Sequence, residues 1–312
     1  MKCVCLSKRL IFASIIFVIM NTLAASAMAG ETKYKPFVLA ESKAGNDIAP
    51  IVTTLSQKLT NNGFDIVGQY SPYKGTTILV ISNKRLQEHA TQSDMGAFGA
   101  ALRVTVSATK TGTQVSYTNP VYMSHVYRMK TDLADVSSKL AAVLGRKMEY
   151  GPEKGLSKDA LRDYQYKWLM PYFTDRHELA DYGSQQAALA KIEAVLATKA
   201  GGVSKVYRLD LPGKEETVIG VGLSGPSNND CSGDEYIMSR IDFKEIKSSG
   251  HLPYEFVVRK GKVYALLAEF RIAINFPDLS MMGSNSFASI MCAPTAIKSA
   301  LTKAVGGKEE EL

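Results

Sequence analysis

Between residues 117 and 129 the chain sets out Tyr117, Asn119, Tyr122, Met123, His125 and Met129, a concentration of side chains able to do chemistry. Asn119-Pro120 ends strand pairing, because proline has no amide to donate to a ladder, and this leaves carbonyls and the Asn amide for a ligand. Tyr117 and Tyr122 add apolar area with a polar tip, so Tyr117, Asn119, Tyr122 and His125 form a candidate ligand-binding set. If the stretch after Pro120 is helical, Tyr122, His125 and Met129 share a face at three- and four-residue spacing. Copper and haem iron accept imidazole and thioether donors, which makes His125, Met123 and Met129 the candidates for a metal. The second half offers Met281, Met282 and Met291. Against both readings stands a plainer one, in which Asn-Pro is a turn, the rings are core and methionine fills gaps.

Other motifs fail on context. Gly220-Val221-Gly222-Leu223-Ser224-Gly225 fits G-x-G-x-x-G, but Pro226 and a polar run follow where a dinucleotide site needs an apolar helix. Residues 228–233 imitate the start of a calcium loop, yet the twelfth position is Ser239 instead of a bidentate Glu. That leaves a loose cation site on Asp230, Asp234 and Glu235, set against a solvated loop. His89, His125, His177 and His251 lack zinc spacing, and no G-x-S-x-G elbow is present. No reaction is specified and no cofactor is predicted, so a binding role fits these residues better than catalysis.

Lys2, Lys8 and Arg9 precede an apolar run at 10–20 in which only Ser14 is polar, and Ala27-Met28-Ala29 follows. This reads as a signal peptide over residues 1–29, cleaved before Gly30, and its apolar run is well short of the roughly 20 residues that span a bilayer. The mature chain is expected to be periplasmic or secreted, and not an integral membrane protein. Removing the leader's three Lys and Arg from the chain's 37, against 30 Asp and Glu, leaves a net charge of +4 without a basic block. Nucleic-acid binding is set aside on that ground. Cys231 and Cys292 remain, an even count that invites a disulfide in an oxidising compartment, with two buried thiols as the alternative.

The elements that must position these residues form an internal repeat. A helix over 51–60 stopped by Gly63 is matched by one over 188–198 stopped by Gly201-Gly202. Strands over 64–70 and 77–82 are matched by 203–209 and 217–223. A short helix at 85–90 follows in the first copy only. Hairpins close each unit, 102–108 with 114–118 and 255–259 with 263–274, turning at Gly112 and Gly261 and ending at Asn119-Pro120 and Asn275-Phe276-Pro277. The second copy's extra residues fall in a loop-rich stretch at 225–250. Between the copies, residues 150–184 carry Tyr164, Tyr166, Trp168, Tyr172 and Phe173, too many rings for a flexible linker. They read as a packed connector with a helix over 158–169, capped by Ser157 and ended by Pro171, that glues the copies together.

This order of helix, two strands, short helix and strand pair resembles the bacterial and archaeal family called domain of unknown function 302, which also occurs as tandem repeats. The resemblance spans about residues 51–128 and 188–282 and is best over 78–123. It implies an α+β fold of two tandem two-layer domains, residues 30–149 and 185–312, each an antiparallel sheet with helices on one face. The family's Cys-Asn-Pro turn after the second strand is replaced by Ser82-Asn83-Lys84 and Ser224-Gly225-Pro226, so any chemistry of that cysteine is absent here. The expected function is non-catalytic binding of a small molecule or an envelope protein partner. The alternative is a metal- or haem-associated redox protein using His125 and the nearby methionines.

Overall fold

Two antiparallel sheets are laid down by the same succession of elements. In the first, β1 (Phe37–Lys43), α1 (Ala49–Asn61), β2 (Asp65–Tyr70), β3 (Thr76–Ser82), α2 (Lys84–Thr91), β4 (Leu102–Thr109) and β5 (Gly112–Thr118) are followed by α3 (Pro120–Val126), α4 (Ala134–Leu144) and β6 (Met148–Tyr150). After the connector helix α5 (Lys158–Arg162) come β7 (Arg176–Asp181), α6 (Gln185–Ala197), β8 (Val203–Asp210), β9 (Glu216–Leu223), α7 (Asp234–Ile241), β10 (Tyr254–Arg259), β11 (Lys262–Leu266), α8 (Ala268–Ala273) and α9 (Ala293–Ala304). The strand orders are β2-β3-β4-β5-β1-β6 and β8-β9-β10-β11-β7. The chain is therefore α+β. This computed structural model describes residues 31–225 and 230–308; the expected leader, its cleavage site and Pro226 lie outside the described residues.

Apolar residues three and four apart explain the helices: α1 buries Val52, Leu55 and Leu59, and α6 buries Ala188, Ile192 and Leu196. α1 packs with α4 on the first sheet, and α6 with α9 on the second. Side chains alternate along a strand, so the sheets' other faces are set by register. Tyr117 on β5 is on the helix side, where its hydroxyl donates to the Gly145 carbonyl after α4. Arg103 on β4 points the opposite way and meets Glu255 on β10. The order of layers is helices, sheet, sheet, helices, and the described residues from Tyr34 onward form one compact unit.

Residue equivalence between the copies follows from the ladders. Both edge strands carry a bulge, between Ile66 and Gly68 in β2 and between Lys205 and Tyr207 in β8. Counting from Gly63 and Gly202, Asp65 matches Ser204; their partners Ser82 and Gly222 match, and so Val80 matches Gly220. Val80 pairs with Arg103 and Gly220 with Glu255, which places Arg103 and Glu255 at equivalent positions. The two bulged strands run close together: a Cβ on Gly68 would lie 2.5 Å from the Val206 carbonyl oxygen.

Several elements differ from the sequence expectation. The strand expected over 263–274 stops at Leu266, and 268–273 is helix α8. A continuous buried apolar run does not distinguish strand from helix by period. As a helix it turns Arg271 inward, where its guanidinium donates to the His251 carbonyl at 2.7 Å. Asn275-Phe276-Pro277 therefore closes no strand. The register matches Asn119-Pro120 with Leu267-Ala268 instead. The connector helix ends at Arg162 rather than residue 169, because Tyr164 and Tyr166 both bond second-copy carbonyls, of Ala273 and Leu279. A helix would hold side chains two apart on different faces. The stretch 225–250 contains α7, and β1 and β7 are additional strands.

Candidate functional site

The residues picked out around Asn119 are packed into the protein, and Asn119 Oδ1 and His125 Nδ1 have no hydrogen-bond partner among the described residues. Tyr117, Asn119 and Tyr122 are fully buried, and His125 is nearly so. Asn119 donates its amide to the Lys35 carbonyl at 2.9 Å, and the Tyr122 hydroxyl donates to the Ile274 carbonyl at 2.7 Å. The His125 ring meets Tyr34 edge-on at 5.4 Å, and burial lowers its pKa, with Arg162 and Lys158 adding to the shift. Met129 falls beyond α3, after Arg128 in a left-handed conformation, so it does not continue the face of Tyr122 and His125. Met123 and Met129 are buried, with Met129 filling the space above Gly99. None of these residues lines the cleft bounded by Tyr150, Asp242 and Asn275, or the shallow surface clefts on α1, α2 and α6.

Gly220 and Gly222 are seats for two tyrosines rather than a phosphate cradle. A Cβ on Gly220 would lie 2.0 Å from the Tyr207 ring, and one on Gly222 would lie 2.4 Å from the Tyr70 ring. Both rings reach polar partners in the seam between the sheets. Tyr70 donates to Asp234 at 2.6 Å, and Asp234 also accepts from Leu223 N, so this residue of the supposed cation loop is turned inward. Burial raises its carboxyl to about pH 7. Asn228 and Asn229 lie outside the described residues, and no three His, Cys, Asp or Glu side chains gather to hold a metal among the described ones.

Tyr207 donates to Glu255, which is also bonded by Arg103 and lies 3.6 Å from Arg271. All of these are buried. Burial alone would pull the Arg103 pKa down, but Glu255 holds it above the usual guanidinium range. Phe173 of the connector touches Phe98 and Tyr127 of the first copy and Phe270 of the second, with ring centroids 5.7–6.3 Å apart. The connector thus packs both copies onto one body, although Trp168 stands exposed.

The cleft with the chemistry of a binding site lies elsewhere, where β6 of the first copy meets the segment after α7 and the turn after α8. It encloses about 330 Å³, at the small end of ligand sites. Tyr150, Ile241, Phe243, Ile246, Phe276 and Leu279 supply apolar walls. Phe243 is half exposed at its edge. Seven residues, 242–248, join α7 to the helical turn Ser249–His251, where the first copy uses only four, 92–95, between α2 and Gly96–Gly99. The segment is tied down from the other copy: the Lys247 carbonyl accepts from Tyr150 and Gln114, both at 2.7 Å.

Two buried polar residues form part of this lining. Asp242 accepts the Ser248 amide at 2.9 Å through Oδ1, and its Oδ2 has no hydrogen-bond partner among the described residues. Asn275 donates to the Arg271 carbonyl at 2.9 Å, which fixes its amide, and its Oδ1 also lacks a partner. Burial raises the Asp242 carboxyl to about pH 6, against the lowering effects of the Ser248 amide, Lys247 and Lys244. Buried acceptors without donors are rare in folded proteins and call for a ligand or water. Sequence reasoning missed this pair because they stand 33 residues apart and Asn275 was assigned to a strand end.

Cys231 and Cys292 are bonded, with Cα atoms 5.7 Å apart, and the bridge ties the start of α7 to the start of α9. No helix of the described residues is long and apolar enough to cross a membrane. In the comparisons with known proteins, no family model, curated protein or solved structure matches this chain.

Proposed function

We propose that this is an exported protein that binds a small molecule without transforming it, and that the ligand's seat is the cleft between β6, residues 241–248 and residues 275–279. The observation that carries the reading is a cavity of ligand size with apolar walls and two buried acceptor oxygens, on Asp242 and Asn275, lacking hydrogen-bond partners among the described residues. Its lining presents aromatic and aliphatic area with a few polar groups, the mixture that holds a molecule in place. The lining residues include no imidazole or thiol to attack one. Export rests on the leader pattern of residues 1–29, with support from the disulfide, a bond that persists in oxidising compartments. The kinship with the domain of unknown function 302 family rests on the repeated order of helices and strands.

Native mass spectrometry of the protein recovered from its own compartment tests the reading. A non-covalent adduct should be present, and Ile246→Trp, which fills the cleft from its partly exposed wall, should abolish it without lowering the thermal midpoint. An adduct that survives Ile246→Trp would move the site elsewhere. The absence of any adduct, with no thermal shift across a panel of small amphipathic molecules, would end the binding role.

A further inference from the structure

We infer that the cleft is built for a small amphipathic cation, an ammonium group on an apolar or aromatic body; this rests on the binding role proposed above. The charged lining residues are Asp242, Glu245 and Asp278 against Lys244 alone, in a chain whose overall charge is positive. Lys244 is already paired with Asp278. The nearby Lys247 donates its ammonium to the Asp242 backbone carbonyl at 2.8 Å and makes no hydrogen bond to the carboxylate Oδ2. What the cleft keeps in reserve is acceptor capacity, on Asp242 Oδ2 and Asn275 Oδ1, and nothing in its lining offers a free cation to an anion.

An ammonium has three donors and no acceptor, so it matches a site that holds two unfilled acceptors, one of them a carboxylate. The lining rings of Tyr150, Phe243 and Phe276 supply aromatic surface for the ligand's apolar body, and an aromatic face attracts a cation. Both oxygens are buried in residues of the cleft wall, Asp242 Oδ2 beside the Oδ1 that accepts the Ser248 amide and Asn275 Oδ1 beside the amide that donates to the Arg271 carbonyl. The groups around Asp242 that titrate or carry charge are Lys244, Glu245, Lys247, Asp278, Tyr73 and Tyr150. Burial keeps both tyrosines protonated far above neutral pH, and in the cleft lining it is Asp242 whose carboxyl is raised to about 6, while Asp234 lies outside that lining.

Isothermal titration of the mature protein at pH 7.5 with 2-phenylethylammonium, 2-phenylethanol and 3-phenylpropanoate decides the matter, since the three share one body and differ in charge. The ammonium should bind at least tenfold more tightly than the alcohol, and the carboxylate not at all. At pH 5, where the probe stays charged and Asp242 is largely protonated, ammonium affinity should fall about tenfold while the alcohol's stays within a factor of two to three. Asp242→Asn should reproduce that loss at pH 7.5, and Glu245→Gln, an exposed change at the rim, keeps the test alive should the first variant fold poorly by giving a smaller loss in the same direction. Equal binding of all three probes, abolished by Ile246→Trp, would overturn the charge assignment and leave the binding role standing. Preference for the carboxylate, or no binding of the ammonium, would overturn the inference outright.

Discussion

The two copies share a chain path and a bulge position but place opposite demands on their interiors. The first copy turns a polar face toward its sibling: Arg103, Thr105 and Ser107 on β4, with Gln114, Ser116 and Thr118 on β5, are all buried. The second copy answers with Glu216, Glu255 and the helix-borne Arg271; it carries the long 242–248 segment and the disulfide, and it supplies most of the cleft wall, with Tyr150 added from the first copy. Equivalent positions hold Arg103 and Glu255, Met123 and Arg271, His125 and Ala273. A repeat fixes the scaffold, while the residues on its inner face decide whether a copy supports or hosts a site.

The largest effect expected on this division of labour is at Glu255. Removing its charge by Glu255→Gln leaves Arg103 and Arg271 buried without an anion, which should cost about 3–5 kcal/mol in chemical denaturation. Adding Arg103→Met should recover part of that loss, because an apolar side chain of similar length restores the balance. A loss under about 1 kcal/mol for the single variant would mean the seam is open to water.

Next comes the bridge that only the second copy has. Replacing Cys231 and Cys292 by Ala should cost about 2–5 kcal/mol, since it frees a segment spanning 61 positions in the unfolded chain. Hydrogen exchange should speed up at α7 and α9 and leave β3, β4 and β5 protected. Uniform loss of protection would show that the copies unfold as one unit.

Gly68→Ala addresses the approach of the two edge strands. Its Cβ would press on the Val206 carbonyl, a backbone atom that cannot rotate away, and a thermal melt should register a loss of about 1–3 kcal/mol. His125→Ala installs the residue that the second copy has at that position, and it should cost about 1 kcal/mol through lost packing on Tyr34. No change in stability would mean that His125 faces a site and not the core.

Another effect is a slope against pH. Asp234 titrates near 7 in the folded chain and near 3.8 when exposed, so the folded state holds a proton that the unfolded state has released. Its contribution to stability is present below about pH 4 and is lost as pH rises through 7, and Asp242 acts in the same direction up to about pH 6. Asp234→Asn should flatten that slope while Tyr70 and Leu223 keep their acceptor. An unchanged slope would place the proton elsewhere.

Helices α1 and α6 and most of the strands were legible because their apolar spacing is local, and the disulfide because, of four cysteines, two fall in the expected leader and the other two leave one pairing. Strand β1 was not, because Phe37 to Leu39 are buried without a break and Glu41 to Lys43 are exposed, so nothing alternates. Strand β7 reads as a polar run, RHELAD, and earns its place only by pairing with β11. The glycines of β9 were visible as a motif, but what they accommodate are rings 13 and 152 positions away. The cleft depends on Tyr150, Asp242 and Asn275, whose meeting is a product of topology, and no spacing rule links them.

Arg103 and Glu255, standing at matching places and bonded to each other, also bear on how the molecule treats its own kind. A repeat invites symmetrical pairing, in which a copy in one chain meets the same copy in another. Here that pairing would set arginine against arginine or glutamate against glutamate in a buried seam, a penalty that disfavours the wrong partner just as a good contact selects the right one. Each chain is thereby steered to close upon itself, and exchange of halves between neighbours pays off only when unlike copies meet.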